Sequence, residues 1–172
     1  MLSRTTTTRA AAVLGLGALV LLFASPSTAG GGGGSEDLLR SGVAASLRPP
    51  AVPPAVGGPE LFGVPAAGAP WVTDPGDIRV DDDGDLRADI HGLVIPPPTQ
   101  PNFNPLDFIG ASLVCNGMIV DTTAPFPFSD DGDAEIRETV TVPDNCLAPA
   151  VLLHPATANS VTIARYIAAS GG

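Results

Sequence analysis

Lysine is absent from this 172-residue chain, and tryptophan and tyrosine occur once each. Aromatic residues make up 5% of the sequence, so a folded core has to rest on Val, Ile, Leu and Ala rather than on large rings. Only two histidines, His91 and His154, and two cysteines, Cys115 and Cys146, are available. A tetrahedral structural zinc site needs more ligands than two cysteines supply. No Gly-x-Ser-x-Gly elbow, phosphate loop or dinucleotide fingerprint occurs. Ser112 and any of several aspartates would be needed to assemble a triad, and no spacing selects them. These absences point away from an enzyme, with a hydrolase using an unrecognised site as an alternative.

Positive charge is also scarce. Eight arginines face 18 acids, for a formal net charge of −10. An acidic chain of this kind is repelled by nucleic acid and by anionic lipid surfaces. Cations, basic proteins and uncharged polymers are left as partners. The Ala, Gly and Pro bias suits a high-GC genome and suggests a Gram-positive bacterium.

The N-terminus is more explicit. Met1–Arg9 carries Arg4 and Arg9, Ala10–Ala24 is apolar without a charge, and Ser25–Ala29 breaks the run with Pro26 and small residues. This is the layout of a secretory signal peptide over residues 1–29, with Ser27 and Ala29 placed before a cut at Gly30. The apolar run is short for a bilayer span. A mature chain with a net charge of about −12 is therefore expected outside the cell or in the cell envelope. No membrane association is expected after cleavage, because neither a lipidated cysteine at the cut nor an apolar tail near Gly172 is present.

In that oxidising setting, an even pair of cysteines reads as one disulfide, Cys115–Cys146. Closing a loop of about thirty residues contributes roughly 3–4 kcal/mol in the chain-entropy treatment.

Residues 30–70 read as a flexible leader and linker. Gly30–Gly34 has nothing to pack, and Ala51–Pro70 is Pro/Ala/Gly-rich. Between them, Leu39, Val43 and Leu47 recur at spacing four behind a Ser35 cap, which predicts a short helix over residues 36–47. From Trp71 the texture changes to alternation. Leu86, Ala88, Ile90 and Val94 share one face, with Arg87, Asp89 and His91 on the other. Asp83-Gly84 and Asn116-Gly117 are hairpin signals, since glycine accepts the positive φ that such turns require. Further runs are Phe108–Cys115, Gly117–Thr123, Ala134–Val142, Ala150–His154 and Val161–Ala169. About seven strands result, without a convincing helix, over residues 71–170. The fold expected is an all-β, immunoglobulin-like Greek-key β-sandwich. The cysteine spacing differs from the antibody-type bridge, and Trp71 lies at the start of the domain rather than at its centre.

Two acidic turns offer the clearest candidate chemistry. Asp81, Asp82, Asp83 and Asp85 surround Gly84; Asp130, Asp131 and Asp133 surround Gly132. Calcium uses carboxylates clustered in this way, and Asp81, Asp83, Asp85, Asp131 and Asp133 are the candidate ligands. Against the EF-hand pattern both loops fail, with Arg79 or Pro127 at the first position and Ile90 at the twelfth in the first loop. Turn geometry and solubility account for the same residues. His91, on the polar face of a strand, and His154, before Pro155, read as ordinary surface and loop positions. The pairs Phe103/Phe108 and Phe126/Phe128 read as core and turn packing.

The segments GDIRVDDDGDLRADIHGLVIP, ASLVCNGMIV, DGDAEIRETVTVPDNCLAPAVLLHP and ARYIAAS resemble small secreted proteins of actinomycete-type bacteria to which no function is assigned. The resemblance covers about residues 71–169. It implies secretion and one disulfide, and it transfers no catalytic residue. The function expected is a secreted, non-enzymatic β-sandwich module with a structural or binding role, acting on an envelope polymer or a protein. The alternative is a calcium-dependent adhesion or carbohydrate-binding module. No other cofactor is expected.

Overall fold

The computed structural model describes residues 35–46, 59–97 and 103–171. The expected signal peptide over residues 1–29, the expected leader at Gly30–Gly34 and part of the expected linker lie outside the described residues. Thirteen strands are present among the described residues: β1 Asp37–Gly42, β2 Ala44–Ala45, β3 Glu60–Leu61, β4 Val64–Pro65, β5 Asp77–Asp81, β6 Asp85–Ile90, β7 Phe108–Cys115, β8 Met118–Thr122, β9 Phe126–Pro127, β10 Ala134–Thr139, β11 Ala150–Thr157, β12 Ser160–Val161 and β13 Ala168–Gly171. No helix occurs among the described residues, so none is long and apolar enough to cross a membrane.

The strands form two main antiparallel sheets and a small hairpin. The first sheet has the order β1-β5-β6-β10, and the second β2-β13-β11-β7-β8, with β9 also on β7 and β12 on β11. A common core lies between the sheets, as in a β-sandwich. Leu39, Ile78, Val80, Leu86, Ala88, Ile90 and Ile136 enter it from the first sheet; Ile109, Ala111, Leu113, Val151 and Leu153 enter it from the second. Each large aliphatic side chain buried there contributes about 1.5–3 kcal/mol relative to exposure. Trp71 is buried in the same core, although it precedes the first long hairpin.

Local chemistry explains the turns. Asn116 and Gly117 have φ of 56° and 77°, the left-handed pair that a two-residue hairpin needs between β7 and β8. Asn116 also fastens the loop that carries Cys146. Its backbone N–H donates to Leu147 O at 2.9 Å, and its Nδ2 donates to Asn145 O at 2.7 Å. The Cys115–Cys146 disulfide forms beside these bonds, with the Cα atoms 4.8 Å apart. It joins the end of β7 to the approach of β11 across 31 residues. The bridge supports an oxidising, extracellular setting.

The helix expected over residues 36–47 is not formed at residues 36–46, the part that is described. Leu39, Arg40, Ser41 and Gly42 pair with Val80, Arg79, Ile78 and Asp77, so β1 completes the edge of the first sheet. A helix of about twelve residues is marginal alone, whereas the β5 ladder satisfies the same backbone groups and buries Leu39. Nor are residues 59–70 a bare spacer. The β3–β4 hairpin places Val64 and Ala66 over the outer face of the second sheet, against Val114, Leu152 and Tyr166. The expected strand 161–169 is divided into β12 and β13 by a crossing segment, and β11 runs on through Pro155. Proline is tolerated there because β13 pairs only with residues 150–153 of β11.

A chain that starts at Pro70 lacks β1, β2 and the β3–β4 cover. Its unfolding free energy in urea is expected to fall by at least about 3 kcal/mol relative to the chain from Gly30, from the lost burial of Leu39 and Val64. Equal midpoints for the two chains would mean that these strands add nothing.

Candidate functional site

The acidic turns are built for backbone geometry. Gly84 has a φ of +90°, and a Cβ there would overlap the Val140 carbonyl oxygen; Gly132 has a φ of +81°, and a Cβ would lie 2.6 Å from Leu93 N. Asp81 is buried, and its carboxylate accepts from the Asp85 N–H and the Ser35 hydroxyl, both at 2.9 Å. Burial pushes its pKa upward, but these bonds and the nearby Arg79 outweigh that and hold it below the usual carboxylate value. Asp82 accepts from the Glu36 N–H at 2.9 Å. Asp85 accepts from the Thr139 hydroxyl at 3.2 Å, and Asp83 is exposed. At the other end of β6, Asp133 accepts from the Gly92 N–H at 2.9 Å and lies 3.8 Å from His91 Nδ1, while Asp131 is exposed. The structure therefore does not bring the five candidate ligands together. Among the described residues, no three carboxylates, imidazoles or thiolates are grouped to hold a metal ion.

A different constellation appears on the exposed face of the first sheet. Arg40 is directly opposite Arg79, Arg79 opposite Arg87, and Arg87 opposite Arg137. Four of the eight arginines thus form one row across all four strands. Two residues along each strand, the same face turns acidic. Asp77, Asp89 and Glu135 make one flanking row. Asp37 and Asp85 stand on the other side, with the buried Asp81 opposite Asp37 between them. The face is a basic stripe between two acidic ones.

Like charges directly opposite in a sheet are destabilising, and the flanking acids offset this. Arg79 pairs with Asp37, Arg87 with Asp85 at 3.6 Å, and Arg137 with Asp89 at 3.8 Å and with Glu135. The Glu135 carboxylate raises the Arg137 pKa further above its ordinary value. All these groups are substantially exposed, so each pair contributes little alone. Their effect is to hold guanidinium donors and carboxylate acceptors in parallel rows. The signal was present in the sequence as a repeated acid–aliphatic–arginine triplet: Asp77-Ile78-Arg79, Asp85-Leu86-Arg87 and Glu135-Ile136-Arg137. Alternation alone placed each arginine on a polar face; only the cross-strand register aligns them.

The remaining candidates have structural duties. Ser112 is buried and shares a 2.8 Å hydrogen bond with Thr122. His91 is exposed, as expected, beside a cavity of about 640 Å³ lined by Asp89, Asp107, Phe128, Asp133 and Glu135. His154 is not on a loop. It is fully buried within β11, and its Nδ1 lies 2.7 Å from Arg165 O. Phe128 belongs to the core, whereas Phe103 is exposed.

Comparison with protein-family models, with curated proteins and with solved structures returns no match.

Because Asp81 and Asp133 already accept backbone hydrogen bonds and the five candidate carboxylates are not gathered, the melting temperature is expected to change little between EDTA and ~1 mM calcium, the range of weak extracellular sites. A rise of roughly ten degrees, lost in Asp83→Asn/Asp85→Asn, would establish a calcium site instead.

Proposed function

We propose that the chain is a secreted, non-enzymatic binding module of the cell envelope or extracellular space, and that the striped face of the first sheet is its contact surface. The observation that carries this reading is the arginine row. Four like charges at directly opposed positions oppose folding, and a scaffold role alone would be served as well by alternating signs. The disulfide supports the compartment.

The chemistry of the face narrows the partner. Guanidiniums supply donors, the flanking carboxylates supply acceptors, and a hydroxyl both donates and accepts. Neighbouring strands set the donors about 4.8 Å apart, so the row extends roughly 14 Å across the sheet. A hydroxyl-rich, uncharged envelope polymer lying along the row meets both kinds of group. A polyanion meets the two acidic rows and the net charge of −10. The fold reading extends in the same way. The chain leaves β6 for β7 and β8 in the second sheet and returns for β10 beside β6, a crossing that supports a Greek-key sandwich of immunoglobulin-like kind.

The mature protein is expected to sediment with an insoluble, uncharged, hydroxyl-rich polysaccharide at physiological salt and to bind phosphate-bearing cell wall less well. Arg79→Ser/Arg87→Ser should bind at least about fivefold more weakly while remaining folded, with a melting temperature no lower than the wild type's; a loss of that size corresponds to about 1 kcal/mol. Wild-type protein that stays in the supernatant, or a variant that binds equally well, would overturn the proposal.

A further inference from the structure

The second sheet carries a buried base that the proposed contact face does not use. His154 follows Ala150 and Leu152 in the alternation of β11, which puts its ring on the outer face, away from the shared core. That face is covered by residues 162–166 of the segment linking β12 to β13, which places Tyr166 there, and by the β3–β4 hairpin, while Ile167 turns into the shared core. The segment is anchored at its C-terminal end, where Ile167 is buried in the shared core, donates its N–H to Leu153 O and accepts from Ser46 N, both at 2.8 Å; before that point its backbone is held by separate bonds. Thr162 N donates to Pro155 O at 2.8 Å, Tyr166 N donates to Pro65 O at 3.2 Å, and Ala67 N donates to Tyr166 O at 2.8 Å. The Arg165 guanidinium and the Tyr166 hydroxyl reach Ala66 O and Pro59 O, both at 3.3 Å, and the one side chain of β11 that ties the segment is the His154 imidazole. A carbonyl accepts, so at Arg165 O the His154 Nδ1 is the protonated nitrogen. Nε2 is then a bare lone pair, buried and without a partner. Gly110, opposite His154 on β7, leaves the space that Val161 fills, so the ring has a packed neighbour and no room to swing.

We propose that His154 is the latch of an acid-sensitive strap: neutral, it pins residues 162–166 over the second sheet, and protonated, it releases them, with Ile167 as the fixed end. Adding a proton to Nε2 creates a buried charge and a buried donor with no acceptor. The surroundings offer no relief. Strands β7, β11, β12 and β13 contain no Asp, Glu, Lys or Arg. Among the neighbouring charged and titratable groups, the Arg165 guanidinium donates to Ala66 O at 3.3 Å, the Tyr166 hydroxyl donates to Pro59 O at 3.3 Å, and Glu60 is exposed on β3. Burial lowers the His154 pKa, and the Arg165 carbonyl opposes this only in part. The strapped state therefore binds the proton less well than the open one. Its advantage is intact above the ordinary histidine value of about 6.5 and declines as pH falls from there toward the depressed folded value. Opening uncovers Val114, Leu152 and Tyr166, the apolar patch that the strap and hairpin now bury.

Amide hydrogen exchange on the full mature chain, followed by NMR from pH 7.5 to pH 5 and corrected for intrinsic rates, tests this. Protection at Thr162, Tyr166 and Ala67 should fall by up to about tenfold for each pH unit below 6.5, while amides of the β7–β11 ladder keep theirs. His154→Asn retains a donor for Arg165 O and cannot take up a proton, so its strap protection should be independent of pH. Strap amides that stay protected at pH 5, or that open only together with the β7–β11 ladder, would overturn the proposal. So would an equal pH response in the asparagine variant; if that variant does not fold, the wild-type profile decides alone.

Discussion

The two-residue period of β5, β6 and β10 is the constraint on which the rest of the structure depends. It sends Ile78, Val80, Leu86, Ala88, Ile90 and Ile136 into the core and leaves every second residue outside. A slip of one residue in any pairing would exchange the faces and drive an arginine into the apolar interior. The register that seals the core is therefore the register that aligns Arg40, Arg79, Arg87 and Arg137. Stability and the proposed contact face are not independent designs. The first enforces the second.

The two sheets are used differently. The first exposes one face to solvent, and its strands show clean alternation. The second is covered on both sides, by the shared core and by the strap and hairpin, and β7 and β11 are accordingly buried along nearly their whole length. A doubly covered sheet has no solvated face for a histidine. His154 is buried for that reason, and the crossing segment that buries it is anchored by its ring. The disulfide acts at the end of the same sheet, where Asn116 ties the loop of Cys146 to the β7–β8 turn.

Features encoded within a few residues were legible in the sequence. Asp83-Gly84 and Asn116-Gly117 dictate their turns through positive φ, and the alternation of Asp85–Ile90 dictates its buried face. Features set by partners distant in the chain were not. Leu39, Val43 and Leu47 fit a helical period, yet the 37–42 segment is a strand because β5, some forty residues on, offers it an edge. The cover at Val64 and Ala66 looked like linker because its apolar partner, Tyr166, lies about a hundred residues away. His154 before Pro155 looked like a loop, since proline is rare in paired strands; the change of partner from β13 to β12 permits it there. At the candidate site the acidic turns were conspicuous, and within them Asp81, Asp82 and Asp133 accept backbone hydrogen bonds. The arginine row was visible only as isolated triplets until the register joined them.

A double-mutant cycle on Arg79 and Arg87, read by urea unfolding, tests most directly whether these arginines face one another as like charges. Removing either residue relieves the same repulsion, so the double Ser variant should differ from the sum of the singles by about 0.5 kcal/mol. That coupling should shrink in 1 M salt, where screening extends over only about 3 Å. Strict additivity at both salt concentrations, or a coupling of attractive sign, would contradict the row.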